Sequence, residues 1–159
     1  LNDLFTWYIL SINTYFKKNK DTSKSFVVDF FSHEFYSNDL TQRVLDNLLN
    51  NNDDLIFRIP FDYLNQKSFI TLLDKAHRHN NSFLIDIGMK VIDVNLLASS
   101  PIVYLEISGE SVAICNTVLT KNRLKMIGDA KALGINTILS GALQKHQRDY
   151  GCAMGFDIF

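Results

Sequence analysis

Apolar positions along the chain alternate between two periods, one helical and one of short, nearly continuous runs. Phe5, Tyr8, Ile9, Ile12, Tyr15 and Phe16 recur at helical spacing, and Lys17, Lys18 and Lys20 follow as cations suited to a helix C-terminus. Phe26 to Phe31 is then a short apolar run interrupted only by Asp29, the pattern of a strand covered on both faces. Ser37 and Asn38 can cap the next helix, whose apolar face is Leu40, Val44, Leu45, Leu48 and Leu49.

The alternation repeats. Leu55 to Ile59 reads as a strand ended by Pro60. A helix over Asn65 to His79 turns Phe69, Leu72, Leu73 and Ala76 inward. Phe83 to Ile87 is a strand stopped by Gly88, and Val91 to Ala98 a short helix stopped before Pro101. Ile102 to Ile107 is a strand. Val118 to Leu133 is a helix with Leu119, Met126, Ile127, Ala130 and Leu133 on one face and Gly134 as its C-cap. Asn136 to Leu139 is a strand, Leu143 to Tyr150 a short helix, and Cys152 to Phe159 holds a last strand. Strands separated by helices call for parallel pairing with crossovers, as in a doubly wound sheet or a parallel barrel. Six strands are too few to close an eight-stranded barrel. The barrel reading therefore makes residues 1–159 one partial domain, with two strands before Leu1 and a final helix after Phe159.

Composition narrows the function. Lys and Arg total 16 against 17 Asp and Glu in 159 residues, and 47% of positions are hydrophobic. That balance excludes a disordered chain and a broad electrostatic binder of nucleic acid. The aromatic residues are spread through helices and strands, as core and not as a base-stacking platform. Cys115 and Cys152 have no metal-site spacing and read as buried small hydrophobes in a reducing compartment. No apolar run is long enough for a bilayer, and no basic segment precedes an apolar stretch as in a leader.

In parallel α/β folds, sites gather at the carboxyl ends of strands. Asp29, Arg58, Asp86, Glu106, Ser108 and Ser140 stand at five such ends, either as a converging site or as a structural ion network. Around them the chain resembles the EAL domain, the bacterial cyclic di-GMP phosphodiesterase barrel. Phe5-Thr6-Trp7-Tyr8-Ile9-Leu10 resembles its Trp-bearing helix. Val28-Asp29-Phe30-Phe31 with Glu34-Phe35 resembles the Val-Asn-Leu-Ser strand and its following helix. Phe57-Arg58-Ile59-Pro60 sits at the Glu-Ile-Thr-Glu strand, and Leu84-Ile85-Asp86-Ile87-Gly88 resembles Leu-Asp-Asp-Phe-Gly. Pro101 to Ser108 resembles Pro-Val-Asp-Tyr-Ile-Lys-Ile-Asp. Lys131-Ala132-Leu133-Gly134 through Ser140-Gly141-Ala142 resembles the Leu-Gly helix end and the Ala-Glu-Gly-Val-Glu strand. Gln147, Tyr150-Gly151-Cys152 and Gly155-Phe156 resemble the approach to the last strand.

The resemblance implies a TIM-like barrel, and hydrolysis by divalent metals on hard oxygen ligands. Here the scaffold matches and the chemistry departs. The family's Asn ligand corresponds to Asp29, and its Glu ligand to Arg58. Ile85 replaces the first of the paired acids, and Asp86 keeps the second. Glu106 stands for the Lys, Ser108 for the Asp after it, and Ser140 and Leu143 for two Glu residues. Val103 takes the place of an Asp that helps hold the nucleotide.

The implied function is a degenerate phosphodiesterase-like domain, without metal or other cofactor. It would work by contact with a protein partner or adjacent domains of a larger signalling protein. Relatives of this kind regulate by contact, sometimes in control of RNA turnover. The alternatives are a cyclic di-GMP sensor without turnover, an active phosphodiesterase, and new chemistry at Asp29, Asp86 and Glu106. The expected location is the cytoplasm, with a parent protein that can be tethered to a membrane.

Other motifs add little. His77 and His79 are two apart and do not share a helix face. His33-Glu34 reads as a cap or surface pair. Ser108-Gly109-Glu110-Ser111 lacks the spacing of a nucleophile elbow, and Gly128, Gly134 and Gly141 form no phosphate loop. The complementary exchanges at Arg58 and Glu106 predict that Arg58 bridges Asp29 and Glu106 where active relatives hold metals. These side chains should point into the barrel interior, and leaving such a buried charge unpaired would cost about 3–5 kcal/mol.

Overall fold

The computed structural model describes residues 7, 8, 10–12, 14, 15, 18, 26–29, 46, 50, 55–64, 67–79, 81–98, 100–110 and 117–158. The expected cap at Ser37 and Asn38, the Leu40 to Leu49 face, the His33-Glu34 pair and Cys115 lie outside these residues. Trp7, Tyr8, Leu10 to Ile12, Thr14 and Tyr15 are helical, and the Ser11 and Thr14 hydroxyls donate to the carbonyls four residues back, Trp7 and Leu10.

Five strands, five where six were expected, form one sheet in sequential order among the described residues. They are β1 (Phe26–Asp29), β2 (Leu55–Pro60), β3 (Ser82–Asp86), β4 (Ile102–Ser108) and β5 (Asn136–Ser140). The pairs β1–β2, β3–β4 and β4–β5 are parallel, as the intervening helices require. The helices are α1 (Lys67–Arg78), α2 (Thr117–Ala132) and α3 (Lys145–Met154). The chain forms two compact units, residues 1–58 with 63–82, and residues 59–62 with 83–159.

In the first unit β2 buries Leu55 and Phe57 and leaves Ile56 and Arg58 half-buried. Asn81, just before β3, is buried as well, and its Oδ1 accepts the Leu55 amide at 3.1 Å. In the second unit Ile85, Leu105, Ile107, Thr137 and Leu139 have no exposed surface. Met126, Ile127 and Ala130 of α2 are buried on one helix face, as their spacing predicts. Gly134 ends that helix in the left-handed region (φ 74), with the Ile135 amide reaching the Ala130 carbonyl.

Four expectations are corrected. The helix over Val91 to Ala98 shrinks to one 3-10 turn, Val94–Leu97, started by the Asp93 carboxylate on the Asn95 amide. Leu133 lies beyond the end of α2 and is exposed. The last strand does not form from Cys152. Instead α3 runs on to Met154 and stops at Gly155 (φ 83), leaving an isolated parallel bridge between Ile158 and Ile138. Cys152, expected to be buried, therefore sits on an exposed position of α3.

That final bridge is fastened by a carboxylate. Asp157 Oδ2 accepts from both the amide and the hydroxyl of Thr137 at 2.8 Å, and Oδ1 lies 3.2 Å from Lys131 Nζ. Partial burial works against ionisation, but the Thr137 bonds and the Lys131 charge outweigh it and hold the Asp157 carboxyl below its ordinary value. A depressed carboxyl contributes stability above its unfolded value and loses it as pH falls through the folded one, so this contribution is present at neutral pH.

Candidate functional site at the strand ends

Parallel register sets the polar residues side by side. Asp29 is the register partner of Arg58, Asp86 of Glu106, and Ser108 of Ser140. Successive strand residues point to opposite faces, so each pair shares a face. The apolar partners Ile85 and Leu105 fall on the other face and are fully buried. Ile85 is thus a core side chain, directed away from its neighbour Asp86.

At the first pair, Arg58 Nη1 donates to Asp29 Oδ1 at 3.1 Å. One leg of the expected bridge is present. Its burial is less than expected, since the two side chains keep 32% and 34% of their surface in water. Solvent screens such a pair, so Arg58→Ala should cost at most about 1 kcal/mol in urea unfolding, well below the figure for a buried bridge. A double-mutant cycle with Asp29→Ala isolates that coupling. Tyr8 adjoins the pair: burial raises its phenol above the ordinary value, a hydrogen bond with the Asp29 backbone opposes the rise, and the Asp29 charge adds to it.

The other residues are partly committed to the chain itself. Asp86 Oδ1 accepts the Gly88 amide at 2.8 Å, which steers the strand into a turn with Gly88 at φ 57. The Ser108 hydroxyl accepts the Glu110 amide at 3.3 Å, and the Ser140 hydroxyl donates to the Ile107 carbonyl at 3.4 Å. Glu106 is the buried member, with 6% of its surface exposed. Val103 is half-buried within β4, and Leu143 stands 87% exposed after β5.

Arg58 places a guanidinium on the Asp29 carboxylate, Ile85 offers no oxygen, and no three acids, histidines or cysteines among the described residues are placed to hold a metal. His77 and His79 stand together at the end of α1, outside these strand ends.

Two structural residues escaped the sequence reading. Asn81 was not singled out, since it stands in the polar stretch Asn80-Asn81-Ser82 before the apolar run from Phe83. Gly109 was weighed only as part of a serine motif. A Cβ there would meet the Ser140 carbonyl oxygen at 2.7 Å and the Ala142 amide nitrogen at 3.0 Å, so the loops after β4 and β5 abut at a glycine.

Comparison with protein-family models and with curated proteins finds no match. Solved structures do match. The S helix-GGDEF-EAL segment of Vibrio cholerae LapD, bound to c-di-GMP, superposes with a TM-score of 0.79 at 14% identity, over 96% of this chain and 39% of that one. The Xanthomonas citri FimX EAL domain, in complex with c-diGMP, gives 0.79 at 10% identity over 99% and 67%. The EAL domain of Mycobacterium smegmatis DcpA gives 0.70 at 15% identity over 98% and 75%. The chain spans well under half the length of the LapD segment. Its five parallel strands have the EAL-like fold, part of a TIM-like barrel.

Proposed function

We propose that this chain is part of a catalytically silent EAL-like barrel that acts by protein contact, as a regulatory module of a longer bacterial signalling protein. The observation that carries the reading is the Arg58–Asp29 ion pair. It puts a fixed cation where the resemblance calls for a metal-ligating glutamate, and it occupies the neighbouring oxygen ligand. Ile85, Ser108 and Ser140 remove three further acids at Asp86, Glu106 and their surroundings. Residues 1–159 would then be completed by strands supplied from outside this stretch, on the cytoplasmic side of any membrane to which the parent protein is tethered. Among the described residues, no helix is long and apolar enough to cross one.

A second reading is a sensor that holds cyclic di-GMP without cleaving it, favoured by the ligand bound in the LapD and FimX structures. The loss of acids argues against cleavage more strongly than against binding. Incubation with cyclic di-GMP and manganese or magnesium is expected to yield no linear dinucleotide above the blank. Metal-dependent product that disappears in Asp86→Ala would refute the silent reading. Calorimetric titration with cyclic di-GMP separates the two readings, since saturable heat without product identifies the sensor.

A further inference from the structure

The connection from β3 to β4 carries no full helix. It holds only the 3-10 turn Val94–Leu97, four residues against the sixteen of α2. The two pack together inside the second unit, where the Ile92 amide donates to Met126 Sδ at 3.4 Å. So short a partner leaves part of the α2 flank uncovered. A cavity of about 380 Å³ lies there, within the range of about 300–1,000 Å³ that small-molecule sites occupy.

Asn122, Lys125, Met126 and Asp129 line the cavity from α2 at spacings of three and four, so they share one helix face. Asp93 and Asn95 line it from the connection, and Ile92 and Met126 give it an apolar floor. No lining residue belongs to a strand, so the cavity is separate from the strand-end residues. Among the described residues, the side chains of Asn122, Lys125 and Asp129 make no hydrogen bond or ion pair. Lys125 and Asp129 stand one turn apart with the cation on the amino-terminal side, the weaker order for such a pair. Asp93 Oδ1 accepts from the Asn95 amide at 3.1 Å and from Asn95 Nδ2 at 2.9 Å, which leaves its Oδ2 and the Asn95 Oδ1 to other donors. The lining thus sets two carboxylates and one ammonium beside an apolar floor.

We infer that this cavity binds a free basic amino acid, such as lysine. The ligand's α-carboxylate meets Lys125, its two ammonium groups meet Asp93 and Asp129, and its methylene chain lies on Ile92 and Met126. Each charge then faces one of opposite sign, and the ligand's single excess positive charge cancels the single excess negative charge of the lining. The Asn95 and Asn122 amides bond whichever end they face. Specificity follows from what other ligands leave unpaired. A neutral amino acid leaves one carboxylate without a cation. A diamine brings no carboxylate to Lys125, and an acidic amino acid adds a second anion beside Asp93 and Asp129. The inference stands apart from the contact reading above.

The test follows backbone amide NMR signals of the isotope-labelled protein during titration with L-lysine, norleucine, 1,5-diaminopentane and L-glutamate at constant ionic strength. Lysine is expected to shift the signals of residues 91–95 and 122–129 saturably. Norleucine lacks the side-chain ammonium and 1,5-diaminopentane the carboxylate, so each should bind about fivefold more weakly or worse, and glutamate should not bind. Asp129→Asn should weaken lysine about fivefold, the share of one solvent-screened ion pair. Lys125→Gln should weaken lysine but strengthen 1,5-diaminopentane, because it removes a repelling cation. Neither side chain has a partner among the described residues, so both variants should keep the parent melting temperature. No saturable shift with lysine, lysine no tighter than norleucine or 1,5-diaminopentane, or lysine binding indifferent to both variants overturns the proposal. Self-association that shifts the same signals without ligand and excludes lysine also overturns it, by making a second copy the occupant. Turnover of cyclic di-GMP is scored separately: its appearance sinks the silent reading alone, and absent lysine binding sinks this inference alone.

Discussion

Gly109→Ala is expected to destabilise the protein by about 1–3 kcal/mol, read as a lower urea midpoint with an unchanged slope. The new methyl group would sit 2.7 Å from the Ser140 carbonyl oxygen and 3.0 Å from both the Ala142 nitrogen and the Gly141 carbonyl carbon. All three are backbone atoms, so no side-chain rotamer can relieve the overlap. Relief requires the β4 and β5 loops to part, which also lengthens the Ser140 hydroxyl bond to the Ile107 carbonyl, already 3.4 Å. Gly128 is the contrasting control. It lies inside α2 on an exposed position, and a Cβ there meets nothing within 4 Å. Gly128→Ala should stabilise by about 0.5–1 kcal/mol through helix propensity alone. Equal effects at both glycines would show that the loop contact does not constrain the fold.

Asn81→Ala is expected to cost about 1–3 kcal/mol, because it strands the Leu55 amide in a site with almost no water. Leu55 is 1% and Asn81 3% exposed, and the amide–Oδ1 bond is 3.1 Å. The side-chain nitrogen Nδ2, by contrast, is buried with no hydrogen-bond partner among the described residues. The residue thus carries one satisfied and one costly group. Asn81→Asp separates them: it keeps the acceptor but buries a charge at neutral pH. Its destabilisation should shrink as acid protonates the new carboxyl. Circular dichroism melts of both variants across acid and neutral pH check the pair of outcomes.

The strands were legible because a strand covered on both faces must be apolar at nearly every position, and Leu55 to Ile59 and Ile102 to Ile107 are. Their polar exceptions, Arg58 and Glu106, pointed to the strand ends for the same reason. The last strand was misread because Cys152-Ala153-Met154 is as compatible with a helix as with a strand. The stop is Gly155 in the left-handed region, not the Tyr150-Gly151 pair. The helix over Val91 to Ala98 failed because Asp93 engages the backbone of Asn95 and starts a tighter turn. At the site, residue types announced the Asp29–Arg58 pair but not its exposure, which depends on neighbours distant in sequence. Asn81, Gly109 and Asp157 act through backbone groups 26 to 33 positions away or, for Asp157, 20. No local pattern reports such partners.

The clasp at Asp157 has a mechanical meaning. The segment after α3 touches β5 through few backbone bonds, chiefly Asp157 and Ile158 to the Thr137 carbonyl and Leu139 to the Ile158 carbonyl. A pull on Ile158 would load these bonds together with the two side-chain bonds of Asp157. The Lys131 ammonium ties the same carboxylate to the end of α2, so the load divides between a strand and a helix. Tension arriving from the C-terminal side is thereby spread over β5 from Thr137 to Leu139 and over the last turn of α2.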